Sequence, residues 1–248
     1  MIRAYFFTAF KISLLLLPVI TCGCAELQNG MLTDDLLRSV QAPARTTPDE
    51  QTVAAGLKEA LRVGAERTVA ATSKTDGFLA NQLIHIALPE QFNQMARTLR
   101  KVGLGSQVDA LETGMNRAAE RAAGEAKGVF WDAITQMTMV DAYHILNGGE
   151  SAATGYFRER TADRLRSRFH PIVAAKMQEV GLYQLSNQAI SSYNALPFVT
   201  KPAVDLESYV TEKALDGLFH VVGEQERQIR TNPAARTTDL LKEVFTKR

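Results

Sequence analysis

The residues best suited to chemistry lie between positions 116 and 160. Asn116 and Glu120 are four apart, so a helix carries them on one face. Asp141, with Thr138 and His144, sits on one side of the nearly all-apolar run VFWDAITQMTMVDAYHIL at 129–146. An ionised carboxylate in apolar surroundings is costly unless paired, so Asp141 calls for a cationic partner, Arg117 or Arg158 being the candidates. Two readings stay open. If another helix covers the Asn116–Glu120 face, then Asn116, Glu120, Asp141, Tyr156 and Arg158 converge in a polar site whose two carboxylates suit acid/base hydrolysis. If not, Asn116 and Glu120 are solvated surface and Asp141 belongs to a buried pair that fixes helix packing.

The stretch DAYHILNGGESAATGYFRERT, 141–161, suggests a phosphate loop or a nucleophile turn and matches neither. A P-loop needs a second glycine five residues after the first, followed by Lys and Ser or Thr; five residues after Gly149 stands Thr154, and no lysine follows. A nucleophile elbow needs G-x-S-x-G, whereas Gly149-Glu150-Ser151 runs on into Ala152-Ala153. What remains is either an anion held by amides at the start of the next helix, helped by Arg158 or Arg160, or a plain joint: a helix-closing glycine and a capping serine. The four histidines, His85, His144, His170 and His220, form no local pair with metal spacing, and neither a metal nor a cofactor is expected. Glu226 and Arg230 read as an i,i+4 surface pair. Arg227, Arg230 and Arg236 read as a small basic cluster, and Phe130 and Trp131 as core aromatics.

The elements that must position these residues are helices. Thr47-Pro48-Asp49-Glu50 is a helix start, and helical spacing continues to about Thr72. KTDGFLANQLIHIALPE, 74–90, is irregular, with Leu83–Leu88 open to a strand reading. Helices are expected from Pro89 to Gly103, with Phe92, Met95, Leu99 and Val102 inward, and from Ser106 to about Ala122. The run 129–146 reads as one central buried helix. Next come a helix from Ala152 to about Arg160, another capped by Thr161, bent or broken at Pro171 and closed by Gly181, and one near 183–194. A long helix runs from Asp205 to about Arg230, with Leu215, Leu218, Phe219, Val222 and Ile229 inward, and a last one is capped by Thr237. The class is all-α, a single domain of about eight or nine helices over 48–248, with no Rossmann-type alternation and no repeat.

The N-terminus points to export. Arg3 and Lys11 flank the start of a short apolar core, ISLLLLPVIT, too short to span a bilayer. CGCAE follows and resembles a bacterial lipobox with Cys24 as the lipidated residue. Residues 1–23 are then a lipoprotein signal peptide and 24–47 a lipidated tether ending in QAPARTTPDEQ. Several acyl chains on one cysteine anchor stably where one does not. The alternative is plain secretion with cleavage nearby. Ala25, standing where Asp would retain a lipoprotein at the inner membrane, implies the outer membrane by resemblance to enterobacterial sorting. Losing Arg3 and Lys11 turns the formal net charge of +1 into −1, and no basic footprint for nucleic acid exists.

DGFLANQLIHIALPE, MNRAAERA, AITQMTMVDAYHILNGGESAATGYFRERT and ALDGLFHVVGEQERQIRTNPAARTTDLLKEVF resemble a bacterial family catalogued as domain of unknown function 4197. The resemblance implies an exported, helical, Gram-negative protein and no reaction. The expectation is a non-enzymatic envelope lipoprotein at the periplasmic face of the outer membrane, binding a partner protein or small ligand. The alternatives are a hydrolase or transferase acting on an envelope polymer through Glu120 and Asp141, and a carrier of apolar ligands.

Overall fold

In a computed structural model, residues 50–179, 181–195 and 205–235 are described. Cys24, the tether, the start at Thr47, the cap at Thr237 and Arg236 lie outside them. Within them the helices are α1 (Glu50–Thr72), α2 (Asn93–Lys101), α3 (Gly105–Ala123), α4 (Ala126–Gln136), α5 (Met139–Asn147), α6 (Ala152–Glu179), α7 (Leu182–Asn194) and α8 (Leu206–Thr231), with 3-10 turns at Glu90–Phe92 and Pro233–Ala235. No strand occurs among the described residues, so the chain is all-α.

The two longest helices, α6 and α8, pack against each other, and α3 packs against both. On α3, Val108, Leu111, Met115, Ala118, Ala119 and Ala122 are fully buried; the alanines keep that face thin and let neighbouring backbones approach. α1 lies on α8 and α4, while α2 and α7 pack against α3.

α6 is one continuous helix, although the sequence suggests two, with a cap at Thr161 and a break at Pro171. Its buried residues are Ala153, Phe157, Thr161, Leu165, Phe169, Val173 and Met177, every fourth position for six steps. Four residues turn a helix by about 40° beyond a full rotation. The buried stripe therefore winds around α6, and the helix meets α5, α4, α8, α3 and α7 along its length. Thr161 satisfies its hydroxyl on the Phe157 carbonyl at 2.6 Å and caps nothing. Pro171 removes one helix hydrogen bond, but Phe169 and Val173 on either side are fully buried, and packing carries the helix through. Gly181, with φ of 68°, closes α6 as expected.

The run 129–146 is two helices. α4 ends at Gln136, and Thr138 restarts the chain as the N-cap of α5. The Asp141 amide donates to Thr138 Oγ1 while the Asp141 carboxylate accepts from the Thr138 amide, a capping box. The break turns part of the apolar run outward: Val140 is 63% exposed and Trp131 43%, with the Arg62 guanidinium 5.4 Å from its ring centre. Phe130 is core, as expected; Trp131 is not. Val102 is also outward, at 52%.

Residues 76–90 form a strap across α3 and α8 with no strand partner. Side chains supply what a neighbouring strand would. Three of them, Glu112, Asn116 and Glu120, are a ridge at i, i+4 and i+8 on α3. Glu112 accepts from the Leu88 amide at 3.2 Å, and Glu120 accepts from the Phe78 and Leu79 amides, both at 3.2 Å. Asn116 accepts from the Ile86 amide and donates to the Ile86 carbonyl, both at 2.9 Å. Tyr209 of α8 donates to the Ala87 carbonyl at 3.0 Å. The strap lies close on α8 because residue 217 is glycine: a Cβ there would stand 2.6 Å from the Phe78 ring.

Candidate functional site

The five residues expected to form one polar site do three different things. Asn116 and Glu120 are buried, at 0% and 4% exposure, beneath the strap. It is the strap that covers them, and no helix brings Asp141 to Glu120. Arg117, proposed as a partner of Asp141, instead bridges Glu120 and Asp76, each at 2.7 Å. Arg158, the other proposed partner, lies over the Phe219 ring at 4.6 Å and pairs with Asp216 at 3.5 Å. Only Asp141 and Tyr156 come together. They line a cleft between the α4–α5 break and the first half of α6, with Arg160 as the cation that faces Asp141, at 3.5 Å.

The NGGES joint sits at one end of this cleft. Gly148 has φ of −76°, so left-handed backbone is not its reason for being glycine. A Cβ would stand 2.5 Å from the Ala152 Cβ and 2.7 Å from the His144 carbonyl, leaving no room for a side chain. The α6 N-terminus is not open to an external anion, and Ser151 is not its cap. The amides a Ser151 cap would engage, those of Ala153 and Thr154, donate to the Glu226 carboxylate at 3.0 and 2.9 Å, and the Thr154 hydroxyl joins them at 2.8 Å. Arg230 backs Glu226 and also donates to the Ile145 carbonyl at 2.8 Å. The Glu226 and Arg230 side chains are only 5% and 19% exposed, so this pair is an internal clamp joining α8, α5 and α6, not surface decoration.

The cleft itself has two lobes that share Asp141, Tyr156 and Arg160. One, about 260 Å³, adds Val129, Ala133, Gln136, Thr138 and Arg164; the other, about 380 Å³, adds His144, Ile145, Ala152 and Glu159. Tyr156, Arg160 and Arg164 form a ridge at i, i+4 and i+8 on α6. Tyr156 is fixed by donating to the Ala133 carbonyl at 3.1 Å, and the Arg160 guanidinium lies 5.8 Å from its ring centre. Arg164, on the cleft wall, pairs with Asp132 of α4. Burial, and then the Asp141 charge, push the Tyr156 hydroxyl above its ordinary range. The Thr138 amide, then the Thr138 hydroxyl, hold Asp141 below the ordinary carboxylate range. Asp141 is therefore a fixed anion and a poor general base.

A depressed pKa makes Asp141 stabilising above its unfolded value, near 4, with that contribution lost as pH falls through the lower folded value. Asp141→Ala is expected to lose about 0.5–2 kcal/mol, the cost of an N-terminal capping group, at pH 7 and less at pH 3. Urea unfolding at the two pH values measures this. An equal loss at both would show that the charge plays no part.

Sequence reasoning missed Arg160 as the partner of Asp141, and it missed Arg164 and Gln136. The signals were present: Thr138-x-x-Asp141 is a capping-box spacing that places a helix start inside the apolar run, and Tyr156, Arg160 and Arg164 share one face. The other arginines of α6 tie down neighbouring parts of the fold in the same way, Arg166 to Glu212 and Arg168 to Glu125. Pairs this exposed contribute little each.

The model of one protein family matches residues 47–246, and its description is Protein of unknown function (DUF4197). The chain belongs to this family. The match takes in every element that builds the cleft, the strap and the Glu226 clamp. No curated protein and no solved structure is similar enough to match the chain.

Proposed function

We propose that this protein is a non-enzymatic binding module of the bacterial envelope, anchored through lipid on Cys24 at the periplasmic face of the outer membrane, with the Asp141–Tyr156–Arg160 cleft as its ligand site. One observation carries the binding reading: the carboxylates that sequence offers for catalysis are engaged in holding the fold. Glu120 holds the strap amides and Arg117, and Asp141 holds the start of α5. The cleft that remains is shaped and polar but has no activated nucleophile. A hydrolase using Glu120 with Asp141 would need two groups that serve different elements to meet. A carrier of apolar ligands would need volume, and an apolar cavity among the described residues, lined by Leu57, Leu61, Phe157, Val222 and Ile229, measures about 30 Å³, room for about one water. No described helix is long and apolar enough to cross a membrane, so the membrane partner of this reading is reached through Cys24.

The tagged protein, captured from detergent-extracted membranes, is expected to carry bound material that an Arg160→Met, Tyr156→Ala variant loses, as read by mass spectrometry. Identical material on both would overturn the cleft as the site. Separately, Cys24→Ser is expected to move the protein from the membrane fraction to the soluble periplasm; unchanged membrane retention would overturn the anchor.

A further inference from the structure

The cleft's charges decide what it can hold. Of its two cations, Arg160 faces Asp141 and Arg164 pairs with Asp132 beside it, and the lining itself carries Asp141 and Glu159 against Arg160 and Arg164, so neither sign dominates. An anionic ligand gains Arg160 but meets Asp141, and a cationic ligand meets the reverse.

The Asp141–Arg160 contact is long, 3.5 Å. Asp141 Oδ2 is taken twice by Thr138, at 3.0 Å from the amide and 2.8 Å from the hydroxyl, while Oδ1 faces the guanidinium alone among the contacts of the described residues. A guanidinium has five N–H donors and no acceptor, and an ionised carboxylate only accepts. A group that inserts between them must donate to one and accept from the other at the same time. A hydroxyl does both, and neighbouring hydroxyls on one ligand do so repeatedly. The rest of the wall fits such a ligand: the Tyr156 ring with Val129 and Ala133 offers an apolar floor to C–H groups, and the Gln136 amide and His144 ring offer further donors and acceptors. Two lobes of about 260 and 380 Å³ meet at Asp141, Tyr156 and Arg160, and ligand pockets generally run from about 300 to 1,000 Å³. A chain of more than one ring, straddling the bridge, uses both.

We propose that the cleft binds a neutral saccharide segment, its hydroxyls inserted between Asp141 and Arg160 and its ring face on Tyr156. This rests on the reading of the cleft as a binding site and names its ligand class.

The test is NMR titration of the ¹⁵N-labelled chain, carrying Cys24→Ser to keep it soluble, against four probes: an N-acetylglucosamine trimer, maltotriose, a hyaluronan tetrasaccharide and inorganic phosphate. A neutral trisaccharide is expected to shift the amides of 136–141 and 156–164. Asp141→Asn and Arg160→Met are each expected to weaken that binding tenfold or more, while Arg168→Met, far along α6, leaves it unchanged. Arg160→Met alters an exposed side chain, so it keeps the test valid if Asp141→Asn loosens α5. Stronger shifts at the same amides from hyaluronan or phosphate would overturn the neutral-saccharide class and leave the binding site standing. No shift there from any of the four would overturn the saccharide proposal, and the membrane capture experiment would then judge the site by itself. Binding by a neutral trisaccharide that is indifferent to both Asp141→Asn and Arg160→Met would also overturn the proposal.

Discussion

Glu226→Ala is expected to destabilise the protein by about 3–5 kcal/mol, the range for breaking a buried ion pair by removing one partner. Three donors lose their acceptor at once: the Ala153 amide, the Thr154 amide and the Thr154 hydroxyl. Each buried donor left unpaired costs about 1–3 kcal/mol, and Arg230 keeps its charge beside them. Since domains of this kind are stable by only about 5–15 kcal/mol, the variant should be near the edge of folding. Arg230→Met is expected to cost less, because Glu226 still holds the α6 amides. The double variant separates the two roles. If the amides dominate, Glu226→Ala with Arg230→Met stays nearly as unstable as Glu226→Ala alone; if the stranded arginine dominates, the double variant recovers most of the loss. Guanidinium unfolding at neutral pH measures all three. A Glu226→Ala loss under about 1 kcal/mol, less than one unpaired buried donor should cost, would mean that water or Ser151 replaces the carboxylate and the clamp is dispensable.

Asn116→Ala is the second large effect, expected at about 2–6 kcal/mol from the Ile86 amide and carbonyl left unpaired, at about 1–3 each. Asn116 is fully buried and makes three hydrogen bonds: two with Ile86 and one, at 2.8 Å, to the Glu112 carbonyl. Asn116→Asp is expected to be no better, because the donor to the Ile86 carbonyl becomes an acceptor and a charge is buried. The loss should be local in its first effects. Glu120 still holds residues 78 and 79, so native-state hydrogen exchange should speed up at Ile84–Leu88 before it does at Phe78. Exchange at Ile86 unchanged from the parent would show that the strap is held by its apolar side chains alone.

These two residues also show how far the sequence could be read. Elements followed the apolar period wherever one face was buried, as on α8, where Leu215, Leu218, Phe219, Val222 and Ile229 are all inward as expected. Asp205 caps that helix as its position suggested, accepting from the Glu207 and Ser208 amides. The period failed where burial changed along the chain. In 129–146 the apolar residues belong to two helices, and the Thr138–Asp141 box that divides them is local chemistry which an all-apolar pattern conceals. In α6 the i+4 stripe carries the helix through Pro171, a tertiary effect that no local rule holds. The candidate site was half legible. Asp141 and Tyr156 do share a cleft, but Asn116 and Glu120 looked solvated because what covers them is an irregular strap, and irregular segments have no period to read. Glu226 reached its role from 73 residues away, and its i,i+4 neighbour Arg230 gave it the look of a surface pair.

The order of these clamps along the chain sets an order in time. Amides 78, 79 and 86 wait for Asn116 and Glu120, and amides 153 and 154 wait for Glu226. In every case the donor is synthesised first and its acceptor later. A chain growing from its N-terminus therefore carries open amides at the strap until α3 is made, and at the joint before α6 until most of α8 has emerged. The α5–α6 corner, local in sequence, is completed only once Glu226 of α8 has been made and docked.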